Sequence, residues 1–189
     1  MPASPVDIYR QDLVAGAKSG VDFMCAATLL WLAIALIWRM EYSEYDKSVF
    51  TFIVGAVMLP LAWLFSRLIG TDWKMPDNPL SPLGLWLNFA QLFYFPFLIY
   101  FLSRSPEHFV MGYAIITGAH LFPYAWFYRE PGYAVAAGVI SVGALFGGLY
   151  TTPDTRYIIP LFTAGCFLAI VGWLFARRSR WRPDLRLQP

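Results

Sequence analysis

The polar side chains that lie inside otherwise apolar stretches are the residues of this sequence best suited to chemistry. Polar groups inside a membrane are energetically costly, so those that are kept commonly bind ligands, relay protons or join helices. Spacings of three or four residues place several of them on shared helical faces. The candidate ligand-binding residues are His120, Asn88, Gln91, Tyr124, Tyr113, Thr117 and Asp22.

Helix geometry predicts that these side chains meet at similar depths in a bilayer. At a rise of about 1.5 Å per residue, His120 lies about 4 Å, Gln91 about 2 Å and Asn88 about 7 Å to the cytoplasmic side of the midplane. Asp22 and Tyr124 both lie on the order of 10 Å from the midplane on that side, which allows a second polar pair. We therefore predict one polar cluster, between the first, third and fourth spans, that opens toward the cytoplasm.

The same residues also have a purely structural interpretation. A lone histidine beside Asn or Gln in a membrane often serves only as an interhelical hydrogen bond. Asp22, close to the interface and to Lys18, also fits a carboxylate that snorkels to the interface or caps a helix. Pro123 frees the carbonyl of Ala119, next to His120, and this carbonyl would line a pocket or merely mark a kink.

The composition is that of a membrane protein. Hydrophobic residues make up 58% of the 189-residue chain and charged residues 14%, against about 25% charged in soluble domains. A helix needs roughly 20 apolar residues to cross the hydrocarbon core. We predict an all-α, polytopic membrane helix bundle in a single domain, residues 1–176, with six transmembrane helices. Their predicted bounds are 20–38, 48–66, 82–103, 106–128, 132–151 and 157–176.

Three further segments lie outside these spans. Residues 5–19 are predicted to form a short interfacial helix on the membrane surface, or else an extension of the first span. The segment 70–82 is predicted to be a rigid interfacial connector anchored by Trp73. Residues 177–189 form a basic tail, which we expect to be disordered and lipid-facing.

The basic residues predict the orientation. Positively charged loops and tails favour the cytoplasmic side, so six spans place both termini in the cytoplasm, with the protein in the cell (inner or plasma) membrane. The expected partners are the lipid bilayer, anionic lipid at the basic tail and a small-molecule ligand. A net charge of +2 gives no reason to expect nucleic acid. The tail arginines are Arg177, Arg178, Arg180, Arg182 and Arg186.

The sequence offers little for catalysis. It has two histidines and lacks the HExxH, GxSxG and Walker patterns. Cys25 and Cys166 lie inside apolar stretches and are predicted to be free thiols. We expect no metal and no other cofactor. Stripes of small residues predict closely packed scaffold helices, in the fifth span from Gly143 and Gly147 and in the sixth from Gly165, Ala169 and Gly172.

The segment Gly118–Trp126 has the pattern GAHxxPYxW, with His120, Pro123 and Tyr124 at its centre. Together with the sequences DNPL at 77–80 and QLF at 91–93, it resembles a family of small bacterial integral membrane proteins known only as a domain of unknown function. The resemblance covers most of the chain. It implies the helical architecture and a bacterial membrane setting, and it brings no activity.

Three functions remain open at this point. The first is small-molecule binding or transport through a cytoplasm-facing polar cavity near His120. The second is a structural or accessory membrane protein in which the polar cluster only joins helices. The third, and the least favoured, is a membrane-embedded enzyme that acts on lipid with His120 as general base, because no convincing nucleophile or metal site accompanies the histidine.

Overall fold

The computed structural model describes residues 4–182, which form helices and connecting turns and no strand. The all-α prediction is therefore confirmed for this part of the chain. Ten α-helices follow one another in the described residues. They are α1 Pro5–Gly16, α2 Val21–Arg39, α3 Glu44–Ala56, α4 Met58–Ile69, α5 Ser81–Leu92, α6 Phe95–Arg104, α7 Phe109–His120, α8 Phe122–Phe127, α9 Pro131–Tyr150 and α10 Ile158–Ala176.

Five helical segments of the described residues are long and apolar enough to cross a membrane. They correspond to the first, second, third, fifth and sixth predicted spans. The fourth predicted span, 106–128, is not among them. Its helix breaks at Leu121 into α7 and α8, two residues before Pro123, which has no N–H to donate to the Ala119 carbonyl. The five segments are Lys18–Arg39, Glu44–Ile69, Ser81–Arg104, Pro131–Tyr150 and Ile158–Ala176.

The apolar core lies around α2, which packs along α10, while α7 packs along α9. Trp31, Ile34 and Trp38 of α2 are almost fully buried there. By contrast, α5 and α6 lie at the periphery, and Phe93 between them is 82% exposed. A large exposed apolar face is unusual on a water-soluble monomer, whereas lipid covers such a face in a membrane protein.

Close packing by small residues is confirmed for α9 and is wrong for α10. A Cβ added to Gly147 would lie 2.7 Å from Ile159 Cγ1, so this glycine lets α9 approach α10. Gly165 and Gly172 have no neighbouring atom within 4 Å of such a Cβ. Helix α10 instead buries larger side chains, including Phe167 and Leu174.

Helix α1 is a separate element and not an extension of α2. Lys18, Ser19 and Gly20 all have positive φ angles, of 47°, 57° and 73°, and this left-handed turn separates the two helices. The predicted N-terminal helix is thus confirmed, although its C-terminal half, from Asp12 to Gly16, is buried against the rest of the molecule.

Both ends of the described chain lie at the same end of the bundle, which we call the α1 end. Arg10 of α1 stacks on the Trp126 ring at 4.5 Å, and Arg180 donates to the Arg129 carbonyl at 3.0 Å. The opposite end is closed by other contacts. There Arg156 forms an ion pair with Glu44, and Arg39 lies over the Tyr157 ring.

Candidate functional site

His120, the last residue of α7, contacts α5 through one hydrogen bond. Its Nε2 lies 3.3 Å from Asn88 Oδ1, while Asn88 Nδ2 donates to the Gly84 carbonyl at 3.0 Å. A carboxamide oxygen only accepts, so the His120 Nε2 must carry the proton. The Nδ1 atom is then an acceptor, and it has no hydrogen-bond partner among residues 4–182.

Tyr124 joins the same contact from α8. Its hydroxyl donates to the Gly84 carbonyl at 3.3 Å, and its ring meets the His120 ring edge-on at 5.3 Å. One turn of α5, from Gly84 to Asn88, is therefore held by α7 and α8 together. The structure brings His120, Asn88 and Tyr124 into one cluster, which we call the His120 cluster.

Gln91 lies one helical turn from Asn88 and is half-buried. Its carboxamide forms no hydrogen bond with any residue of the described chain. Thr117 is one turn before His120, and its hydroxyl donates to the carbonyl of Tyr113 in its own helix at 2.8 Å. Each residue is thus one helical turn from a member of the His120 cluster and does not join its hydrogen bonds.

Tyr113 is placed elsewhere. Its ring packs against Trp31 of α2 at 5.3 Å, and its hydroxyl lies where a Cβ on Gly55 would be 2.6 Å away. Gly55 thus makes room for the phenol between α2, α3 and α7. Tyr113 is a residue of the helix core in this structure.

Asp22 binds the 70–82 connector. The side chain is almost fully buried, and its Oδ2 accepts hydrogen bonds from Thr71 Oγ1 and Trp73 Nε1, both at 2.7 Å. The predicted anchoring of the connector by Trp73 is confirmed. Asp22 makes no direct hydrogen bond to Tyr124, whose ring instead stacks on Tyr128 at 5.8 Å and lies tilted against Tyr133 at 6.2 Å.

Two buried polar residues at the α1 end were not among the predicted site residues, although Asn78 belongs to the DNPL sequence at 77–80. Asn78 donates to Asp12 Oδ2 at 2.7 Å and to the Tyr9 carbonyl at 2.8 Å, which fastens the connector to α1. Glu130, 1% exposed, accepts from Arg177 Nε at 2.9 Å. The position of Glu130, an acidic residue immediately before Pro131, was the only feature of the sequence that could have drawn attention to it.

The start of the basic tail is held against the bundle and not free. Arg177 and Arg180 both form ion pairs with Glu130, and Trp173 Nε1 donates to the same carboxylate at 3.2 Å. The remainder of the tail, residues 183–189, lies outside the described residues.

His120 lines neither of two cavities in the described part of the chain. One, of about 200 Å³, lies at the α1 end and is lined by Gln11, Val14, Arg129 and Arg180. The other, of about 410 Å³, is an apolar groove on the exposed side of α6. Within residues 4–182, no three His, Cys, Asp or Glu side chains converge as metal ligands, and both cysteines are free.

Comparison with curated proteins and with solved structures finds no match to this chain. A family model described as a family of unknown function (DUF7010) matches residues 6–177, from α1 to the start of the basic tail. This match confirms the resemblance to a family without an assigned function. The chain therefore belongs to this family of unknown function, DUF7010.

Proposed function

We propose that the chain is an integral membrane protein with six spans, of which α7 and α8 together form the fourth. Residues 109–127 would extend about 28 Å as a continuous helix, close to the roughly 30 Å of the hydrocarbon core. The Leu121 N–H donates to the Gly118 carbonyl at 3.0 Å and the Tyr124 N–H to the Leu121 carbonyl at 3.1 Å, so backbone hydrogen bonds continue on both sides of the break. Both described chain ends lie at the α1 end, which supports an even number of crossings.

The His120 cluster is, in this proposal, a binding site for a small neutral molecule with a hydroxyl or amide group. The observation that carries it is unused hydrogen-bonding capacity. His120 Nδ1 can accept, and the neighbouring Gln91 carboxamide can both donate and accept. Every polar group of the cluster is an imidazole, a carboxamide or a phenol, so an uncharged ligand suits it best.

The packing of aromatic rings toward the opposite end of the bundle favours binding over transport. There Phe52 packs against Phe109 at 4.9 Å and against Phe95 at 6.0 Å between ring centroids. A transport path from His120 to that end would have to part these rings. We therefore propose binding from the cytoplasmic half of the bilayer.

A structural role is the second candidate, and one observation favours it. Helix α5 has no fully buried residue, and the His120–Asn88 and Tyr124–Gly84 hydrogen bonds attach it to α7 and α8. Such interhelical bonds contribute about 0.6 kcal/mol each in membrane proteins. The enzyme hypothesis has less support, because no carboxylate, hydroxyl or thiol of residues 4–182 hydrogen-bonds to His120 as a partner for a general base.

Native mass spectrometry of the gently solubilised protein tests the binding proposal. We expect a small co-purified molecule on the wild type that is lost from His120→Leu. The control is Thr51→Val, which removes a different interhelical hydrogen bond, from Trp38 Nε1 to Thr51 Oγ1 at 3.0 Å. This control should keep the molecule.

Two outcomes would contradict binding at the His120 cluster. One is a bound molecule that survives His120→Leu. The other is a wild type that carries none, with both variants losing a similar, small amount of thermal stability, and this result would favour the structural role.

A further inference from the structure

The cavity at the α1 end is built from three separate parts of the chain. Gln11 and Val14 come from α1, Arg129 from the turn after α8, and Arg180 from the turn after α10. Its volume of about 200 Å³ is below the roughly 300–1,000 Å³ of pockets for drug-sized ligands. The cavity therefore suits a small group.

Positive charge exceeds negative charge on the α1 side of this cavity. Asp7 Oδ1 lies 3.3 Å from Arg10 Nη1 and 3.5 Å from Arg129 Nη1, so two guanidinium groups share one carboxylate. Burial, and then the positive charge of Arg129, lower the pKa of Arg10. Burial is the larger of these two causes, and the Arg129 cation adds to it.

The same excess recurs on the C-terminal side. Glu130 is shared by Arg177 and Arg180, and Arg180 also donates to the Arg129 carbonyl. Across the whole group, four guanidinium groups share two carboxylates. This group of four guanidinium groups and two carboxylates therefore has a net charge of +2, and two of its arginines, Arg129 and Arg180, line the cavity.

The aromatic rings beside this cavity are of the kind typical of the membrane–water interface. Arg10 lies over Trp126 at 4.5 Å, and Arg177 lies over Trp173 at 5.2 Å. Tryptophan rings prefer the membrane–water interface, where arginine side chains reach toward the headgroups. An anionic group at this depth would meet the guanidinium groups directly.

We propose that the cavity between α1, Arg129 and Arg180 binds a phosphate group, either in the headgroup of an anionic phospholipid or as free phosphate. Guanidinium groups bind phosphate oxygens in a planar, bidentate manner. The site is distinct from the His120 cluster and does not depend on it. The basic tail was expected to attract anionic lipid, and this proposal assigns that binding to one cavity.

Binding of defined probes to the full-length protein in detergent tests this site. The probes are phosphatidylglycerol, inorganic phosphate, and diacylglycerol, which lacks a phosphate. We expect phosphatidylglycerol, phosphate or both to bind, and diacylglycerol not to bind at this site. Arg129→Gln should weaken the binding about fivefold, the usual effect of one basic residue at a membrane surface.

Two comparisons separate the pocket from the general charge of the protein. Arg67→Gln removes an exposed arginine that lies over Trp63, away from the cavity, and should change the affinity less than twofold. Arg129→Lys keeps the charge but not the bidentate geometry, so its affinity should lie between those of the wild type and Arg129→Gln. Asp7→Asn removes the competing carboxylate and should strengthen the binding, a gain that a folding defect would not produce.

The probes also distinguish the two sources of phosphate. Displacement of phosphatidylglycerol by millimolar phosphate supports a free-phosphate site, whereas tight lipid binding that phosphate does not displace supports a headgroup site. Equal effects of Arg129→Gln and Arg67→Gln, or binding that Asp7→Asn leaves unchanged, would overturn the proposal.

Discussion

Asp22 and Asn78, two buried polar residues at the α1 end, have more hydrogen-bond partners than His120 in the middle of the bundle. Asp22 accepts from two side chains, and Asn78 bonds to α1 twice while accepting from the Leu80 N–H. His120 has a single polar partner. A fully satisfied group is explained by stability alone, whereas spare capacity leaves room for a ligand. This contrast is why His120, and not Asp22, is the residue proposed to bind one.

Asp22→Leu should destabilise the protein by about 2–4 kcal/mol, because it leaves the Trp73 indole donor without an acceptor and removes one partner of Thr71. The connector should then detach from α2, which a change in tryptophan fluorescence below the melting transition would report. Asp46→Leu is the matched control. It removes an exposed aspartate that accepts a hydrogen bond from Ser43 Oγ, and should change stability by about 0.5 kcal/mol or less. Equal melting of the two variants would show that the connector does not depend on Asp22.

For helices α7 to α10, the sequence predicted the bounds of the helices better than it predicted which of their faces pack together. Apolar length predicted α9 and α10 to within one residue at each end, since length and hydropathy are local properties. The kink near Pro123 follows from its missing N–H. Which face of a helix meets a neighbour depends on its rotation in the bundle, so the sequence could not tell the packed Gly147 from the open Gly165.

Some contacts of the buried polar residues could likewise be predicted from the sequence, and others could not. Depth along the helices was enough to predict that His120 meets Asn88. The partners of Asp22 and Glu130 could not be predicted, because they lie 49 to 51 and 43 to 50 residues away in the chain. Only the folding of the connector and of the tail back onto the α1 end brings these groups together.

Gly118→Ala tests the contact between α7 and α9. A Cβ at Gly118 would lie 2.8 Å from Cγ2 and 2.9 Å from Cβ of the buried Ile140, which cannot move without its backbone. We expect a loss of about 1–3 kcal/mol, measured by thermal or denaturant unfolding in detergent. Gly138→Ala in α9 is the control, because nothing lies within 4 Å of its new Cβ. That variant should be neutral or slightly more stable, and a similar loss in both would mean that α7 and α9 are not closely packed.

For the whole molecule, the two ends of the bundle differ in how their charges are used. At the opposite end, the Arg156 guanidinium is paired with Glu44, and Lys47 is buried. At the α1 end, guanidinium groups outnumber the carboxylates that they share. An excess of positive charge marks the cytoplasmic side of a membrane protein, so the α1 end is the cytoplasmic end in the proposed six-span topology.

Cysteine labelling tests this topology at its least regular element, the α7–α8 pair. His108 precedes α7 and Pro131 follows α8, and both side chains are exposed. In a background with Cys25→Ala and Cys166→Ala, a membrane-impermeant maleimide should label His108→Cys in intact cells. It should label Pro131→Cys only after the membrane is opened, because six spans with a cytoplasmic α1 end place the two positions on opposite sides. Labelling of both positions from the same side would show that α7 and α8 do not cross the membrane. The reverse pattern, with Pro131→Cys labelled in intact cells, would keep the fourth span and invert the orientation.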